Sequence, residues 1–167
     1  MVNVGVNVAI FEAETILLTL REDFEVWCMP GGSVDAGESM ADAARREVRE
    51  ETGLDVELTR LVGIYSRLGW HDHHVAVFAA KVMGGALQPD PHEVLEVRYF
   101  PFTALPELML ISQAHRITDA ISGVTGCVKS ECVSCAPRIP PQNRAQIYAL
   151  RDQSGLARSE FYLRHVP

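Results

Sequence analysis

Glu47, Glu50 and Glu51 crowd onto neighbouring positions of the stretch Pro30–Leu54, PGGSVDAGESMADAARREVREETGL, directly behind a loop carrying Gly31, Gly32 and Gly37. The stretch reads as a helix over 39–52 with specified ends. Ser39 followed by Asp42 is a capping-box-like start, and Gly53 followed by Leu54 is a Schellman-like stop. At about 100° per residue the three glutamates fall on one side of this helix, beside an apolar stripe of Ala41, Ala44 and Val48. Like charges three and four residues apart destabilise a helix by roughly 0.2–0.5 kcal/mol a pair, and by more once desolvated, unless a cation intervenes. A hard divalent ion meets this need, because Mg2+ takes oxygen ligands and keeps several waters. The glycines let loop backbone approach whatever the ion holds, which points to phosphate.

The same stretch resembles the Nudix box, G-x5-E-x7-R-E-U-x-E-E-x-G-U with U a bulky aliphatic residue. Gly32, Glu38, Arg46, Glu47, Val48, Glu50, Glu51, Gly53 and Leu54 fill every specified position. The resemblance extends from Val2 to about Val124, because the flanking strands and the segment EVRYFPFTALPEL are also similar to those of Nudix hydrolases. It implies an α/β/α sandwich with a mixed β-sheet. It also implies hydrolysis, by water with Mg2+ or Mn2+, of a nucleoside diphosphate linked to another group X. Phosphoanhydride cleavage asks chiefly for charge neutralisation and a positioned in-line water, which clustered carboxylates with metal ions provide.

By the same resemblance Glu47, Glu51 and the Gly31 carbonyl are expected to be metal ligands, and Glu50 a ligand or a water-orienting group. Arg46 would hold a box glutamate through a bidentate pair that Lys could not copy. Gly32, Glu38 and Gly53 are expected to be structural, Glu38 alternatively supporting a ligand from behind. The general base of such enzymes often lies outside the box. Glu93 and Glu96, in PHEVLEV, are the candidates, with plain surface charge as the alternative for either.

The substrate is less specified. A proline about fifteen residues beyond the box marks many ADP-ribose hydrolases, and a tyrosine at similar distance marks dinucleotide polyphosphate hydrolases; here the region reads LGWHDHH, without either mark. General similarity of VGIYSR and EVLEVRYF favours ADP-ribose, an NDP-sugar or a related NDP-X compound. The alternative is a (deoxy)nucleoside triphosphate pyrophosphohydrolase of the MutT kind. A non-catalytic nucleotide-binding or sensor module is a third reading, but such a domain would be expected to lose box glutamates. The cluster HDHH (His71–His74) reads either as a metal-binding group or, in preference because oxygen ligands already suit Mg2+, as a polar turn opening a strand, with His73 or His74 as a phosphate contact. Trp70, Tyr65 and Phe100 are either stacking partners for a base or core residues.

The elements that must position these groups are visible as patterns. VNVGVNVAIF and TILLTL alternate in the manner of strands, LTRLVGIYSRL and HHVAVFAAKV are β-rich, and EVLEVRYFPF follows an Asp90-Pro91 turn. A second helix is expected over 111–121, stopped at Gly123. Strands interleaved with helices suggest an α/β sandwich with a mixed sheet.

Composition agrees, at 47% hydrophobic and 22% charged residues, without an apolar run long enough to span a membrane. The start lacks the basic flank of a signal peptide, so a cytoplasmic location is expected. A net charge of -7 over 167 residues argues against a duplex nucleic-acid partner. Cys28, Cys127, Cys132 and Cys135 are expected to be thiols or metal ligands rather than disulfides. C-x4-C-x2-C over the last three is one ligand short of a zinc site unless His115, Cys28 or a second chain completes it.

Residues 1–124 are thus expected to form the catalytic domain and 125–167 an appendage joined by the linker-like APRIPPQNR. From Arg138 the appendage carries five arginines against Asp152 and Glu160. One reading is a solvated face. The other is an arm that packs on the acidic body of its own or a second subunit through Ile147, Leu150, Phe161 and Leu163, favouring a homodimer.

Overall fold

The computed structural model describes residues 3–68, 72–132 and 144–166. The alternating first segments pair as an antiparallel hairpin of β1 (Asn3–Glu12) and β2 (Thr15–Arg21), with Phe11 opposite Ile16. β3 (Trp27–Cys28) and β6 (Val94–Pro101) both pair with β2. β4 (Leu54–Leu68) and β5 (His73–Gly85) form a long antiparallel hairpin, and β5 lies parallel to β1. The resulting sheet is mixed and seven-stranded, and its main path runs β3-β2-β1-β5-β4-β7, where β7 is Cys127–Cys132.

Strand alternation sends two apolar sets to opposite faces. Val6, Val8, Ile10, Ala76 and Ala80 meet Ala43, Ala44 and Val48 of α1 (Met40–Thr52) on one face. Ala9, Val75, Val77, Ala79 and Tyr65 meet Ile117 and Ala120 of α2 (Ala114–Ile121) on the other. This is the expected α/β/α sandwich. Ala43 lies deeper than Ala41, so the buried stripe of α1 is rotated slightly from the expected one. A short 3-10 turn, Ile111–Gln113, leads into α2. Tyr65 and Phe100 are core residues, Tyr65 fully buried with its hydroxyl donating to Asp119 at 2.8 Å, and Phe100 packed on Trp27. Among the described residues no helix is long and apolar enough to cross a membrane.

The division expected at residue 124 does not coincide with the end of the sheet. β7 lies beyond it and runs parallel to β4, from Gly63 opposite Cys127 to Leu68 opposite Cys132. Further on, α3 (Arg144–Gln153) and α4 (Arg158–His165) pack onto their own chain. Ile147, Phe161 and Tyr162 form a third apolar cluster with Phe24 and Val26 of the β2–β3 turn. Leu150 is partly buried in that cluster, whereas Leu163 remains 51% exposed. Polar clamps add to it, for Arg151 Nη1 donates to the Asp23 carbonyl at 2.5 Å and Arg158 Nη1 to the Glu22 carbonyl at 2.7 Å.

Of the cysteines, Cys28 is buried, and Cys127 Sγ lies 3.5 Å from the Tyr65 hydroxyl. His115 is drawn to Glu131, at 2.6 Å. Cys135 and the side chain of Cys132 lie outside the described residues.

Candidate active site

Helix α1 is held at both ends by its own chemistry. The Asp42 N–H donates to Ser39 Oγ at 3.1 Å, and the Ser39 hydroxyl in turn donates to the Asp42 carboxylate at 2.7 Å. Gly53 stops the helix in the left-handed region, at φ 78°, and donates to the Arg49 carbonyl. With both ends set, Glu47 and Glu51 occupy one turn-to-turn column on the buried side, at 9% and 7% exposure, while Glu50 stands exposed at the rim.

The glycine loop meets this column. Its Pro30 and Gly32 carbonyls accept from Val8 and Val6 of β1, at 2.9 Å each, which anchors the loop along β1. The intervening Gly31 N–H donates to Glu51 Oε2 at 3.0 Å. Side chains have no room here. A Cβ on Gly31 would stand 2.1 Å from the Val6 carbonyl oxygen, and one on Gly32 would stand 2.5 Å from Glu47 Oε1. The glycines therefore allow the Glu47 carboxylate to lie directly against loop backbone.

Arg46 ties the remaining box carboxylates together. Its Nε and Nη2 donate to the two oxygens of Glu38 at 2.9 and 3.0 Å. Nη1 donates to Glu47 Oε1 at 2.9 Å and to Glu50 Oε2 at 3.0 Å, and Nη2 also reaches the Ser33 carbonyl at 3.0 Å. Glu38, hydrogen-bonded to Arg46, titrates below the ordinary carboxylate range. Glu47 titrates above it, because burial outweighs Arg46. Burial pushes Glu51 up to about 8, against the Gly31 N–H and Arg21 and helped by repulsion from Glu47 and Glu93.

A cavity of about 400 Å³ opens over this cluster, lined by Gly31–Ser33, Glu47, Glu51 and Glu93 and also by Arg21 and Tyr148. A second lobe of about 270 Å³ shares Arg21 and Gly31–Ser33 and continues over the α2 face of the sheet, past Asn7, Gln113, His73 and Arg116. Arg116 is buried, ion-paired to Glu131 at 2.7 Å, and reaches Asn7 Oδ1 at 3.3 Å. Burial, with Arg116, Arg67 and His74 nearby, lowers the pKa of His73 and favours its neutral form.

The structure thus brings Gly31, Gly32, Glu47, Glu51, Glu93 and His73 to one cleft, with Arg46, Glu38 and Glu50 bonded to its rim. It does not bring Glu96, which pairs with Arg98 within β6, nor His74, whose Nδ1 lies 2.9 Å from Ser66 Oγ on β4. Gly53 serves the end of α1. Trp70 lies outside the described residues. Sequence reasoning missed Arg21, Asn7, Gln113, Arg116 and Tyr148. Local spacing marks none of them, and only pairing and packing bring them in.

Among the described residues, no three His, Cys, Asp or Glu side chains already stand as a metal cage. The surroundings nonetheless fit a divalent ion. Two buried carboxyls carry raised pKa values, the loop carries no Cβ at Gly31 and Gly32, and the donors are hard oxygens suited to Mg2+ or Mn2+.

Comparison with known proteins agrees with this architecture. The NUDIX domain family matches residues 1–120, and the chain belongs to that family. It is a Nudix hydrolase, a pyrophosphohydrolase class that generally uses divalent metal ions.

Over 112 residues it is 35% identical to a Bacillus subtilis (strain 168) protein named "Putative 8-oxo-dGTP diphosphatase", covering 67% of this chain and 74% of that one. It is 36% identical over 85 residues to an ADP-ribose pyrophosphatase of Methanocaldococcus jannaschii, covering 49% of this chain and spanning only 50% of that protein. The crystal structure of an ADP-ribose pyrophosphatase from Streptococcus suis superposes with a TM-score of 0.66 at 25% identity, covering 77% of this chain and 98% of that one.

Proposed function

We propose that this enzyme hydrolyses a nucleoside diphosphate linked to a group X, of the ADP-ribose or NDP-sugar type, to a nucleoside monophosphate and phosphorylated X. One observation carries the reading: two lobes of the cleft meet at Gly31–Ser33, beside the buried Glu47 and Glu51. A diphosphate lying on the loop has room for an organic group on either side, which an NDP-X compound requires and a triphosphate does not.

Glu47, Glu51 and the Gly31 carbonyl would hold Mg2+ or Mn2+, with Glu50 as a further ligand or as the group that orients water. The bound ion supplies charge neutralisation at the diphosphate and acidifies water. Arg46 holds Glu47 and Glu50 in mutual register, so that neither swings away under repulsion. Arg21, which lines both lobes, offers a cation to the diphosphate. Glu93 stands exposed on the cleft wall, placed to accept the proton of the attacking water, and is the base we assign. In the second lobe Asn7 and Gln113 present amide groups to the nucleoside.

A second reading, (deoxy)nucleoside triphosphate pyrophosphohydrolase of the MutT kind, is favoured by the 35% identity to the Bacillus protein. Products separate the two. A panel of ADP-ribose, NDP-sugars, dNTPs and 8-oxo-dGTP, each with Mg2+ or Mn2+, should show the highest kcat/KM for an NDP-X compound with release of a nucleoside monophosphate. Highest kcat/KM for a triphosphate, with release of pyrophosphate, replaces the first reading by the second. Absence of turnover on the whole panel overturns both.

A further inference from the structure

The family match ends at residue 120, yet both lobes of the cleft are completed by residues beyond 144. Tyr148 of α3 lines the same lobe as Glu47 and Glu51. Tyr162 of α4 and Val166 just beyond it line the other lobe together with His73 and Arg116. These contacts are built rather than incidental. The Tyr148 hydroxyl donates to Asp23 Oδ2 at 2.7 Å, and the same carboxylate takes Arg21 through Nε at 2.8 Å and Nη2 at 2.5 Å. Edge-on contact with Phe24, at 5.8 Å between centroids, and Arg151 over the ring at 4.8 Å set the plane of Tyr148. Phe24 also stacks on Phe161, so one apolar cluster fixes both tyrosines.

The two lobes differ in chemistry. Around Tyr148 the wall is polar, with Asp23, Arg21 and His92, and suits a hydroxylated group such as a sugar. Around Tyr162 it is mixed, with Val166, Leu110, Met29 and Val75 beside the amides of Asn7 and Gln113 and the side chains of His73 and Arg116. We propose that the α3–α4 pair is the specificity wall of this enzyme. Tyr148 contacts group X beyond the scissile diphosphate, and Tyr162, buried in the cluster with Phe24 and Phe161, seats α4 as a wall of the second lobe. The assignment of X to the Tyr148 lobe rests on the NDP-X reading above.

The experiment uses full-length protein and compares Tyr148→Phe and Tyr148→Ala with wild type, on an NDP-sugar and on the triphosphate of the same base. Leu163→Ala, on the exposed side of α4, is the control. The ratio of kcat/KM for NDP-sugar over triphosphate should fall at least about fivefold in Tyr148→Phe, through KM, while the variant still unfolds cooperatively, its Tm lowered by loss of the hydrogen bond to Asp23. Tyr148→Ala should lower it further, and Leu163→Ala should leave it unchanged. Tyr148→Phe keeps the ring packing, so it remains decisive if the alanine variant does not fold. Wild-type turnover of both compounds with an unaltered ratio in Tyr148→Phe overturns the wall and leaves the nucleotide reading intact. Lack of wild-type turnover on either compound overturns both.

Discussion

Replacing Glu51 by Gln removes a carboxyl whose pKa the fold raises to about 8, while the amide oxygen can still accept the Gly31 N–H. In the unfolded chain this group titrates near 4.5. Its folded value is higher, so the folded state holds the proton more tightly; the contribution to stability is fully present below about pH 4.5 and is lost as pH rises through 8. Each pH unit inside that window lowers stability by about 1.4 kcal/mol. At pH 7 the metal-free wild type therefore stands about 3 kcal/mol below its low-pH value on account of this group. Glutamine does not titrate. For a chain of this length about 3 kcal/mol corresponds to roughly 6–12 °C in Tm.

The assay is denaturation of EDTA-treated wild type and Glu51→Gln between pH 4.5 and 8.5, by heat and by urea. The advantage of the variant should grow by about 3 kcal/mol from pH 4.5 to pH 7. Mg2+ should restore wild type more at pH 8 than at pH 5, because the ion binds the ionised carboxylate, and should do little for the variant. Parallel pH profiles, within about 1 kcal/mol across the window, would mean that the carboxylate is well solvated and that the argument from burial is wrong.

Glu51→Gln should also lower kcat by about 1000-fold or more, and EDTA should abolish wild-type turnover; near-normal rates in either measurement remove Glu51 from the ligand set. Gly32→Ala should lower kcat by roughly 100-fold with little change in Tm, since its Cβ meets only the movable end of Glu47. Gly31→Ala should instead lower Tm, because its Cβ meets the backbone of β1. Arg46→Lys should lower kcat/KM by roughly 10–100-fold, because one ammonium cannot bridge Glu38, Glu47 and Glu50 together; an unchanged rate would show that the bridge is dispensable. Glu93→Gln should lower kcat by roughly 100-fold, whereas Glu96→Gln should stay within about twofold, and the reverse pattern would reassign the base.

The box was readable from one short stretch because its order is local. Ser39 and Gly53 terminate α1 through bonds to residues three and four positions away, and helical periodicity alone stacks Glu47 above Glu51. Strand alternation in Val6, Val8 and Ile10 likewise gave the two-faced sheet before any pairing was known. Spacing could not choose between Glu93 and Glu96, which stand three residues apart. In the structure the Glu93 carbonyl accepts from Glu22 at 3.0 Å, which holds it beside Arg21 and the cleft, whereas Glu96 enters β6 opposite Leu20 and turns to Arg98. Nor could spacing place the tail, whose arginines read equally well as a solvated face or as an arm. In the structure Phe24 packs against Ile147, Phe161 and Tyr162, and that packing carries Tyr148 to Asp23 across 125 residues of chain. A bond between residues i and i+4 follows from backbone geometry, which the local sequence encodes directly. A bond between Asp23 and Tyr148 forms only after sheet order and apolar burial have met the entropy of closing so long a loop, and no short window of sequence contains those terms.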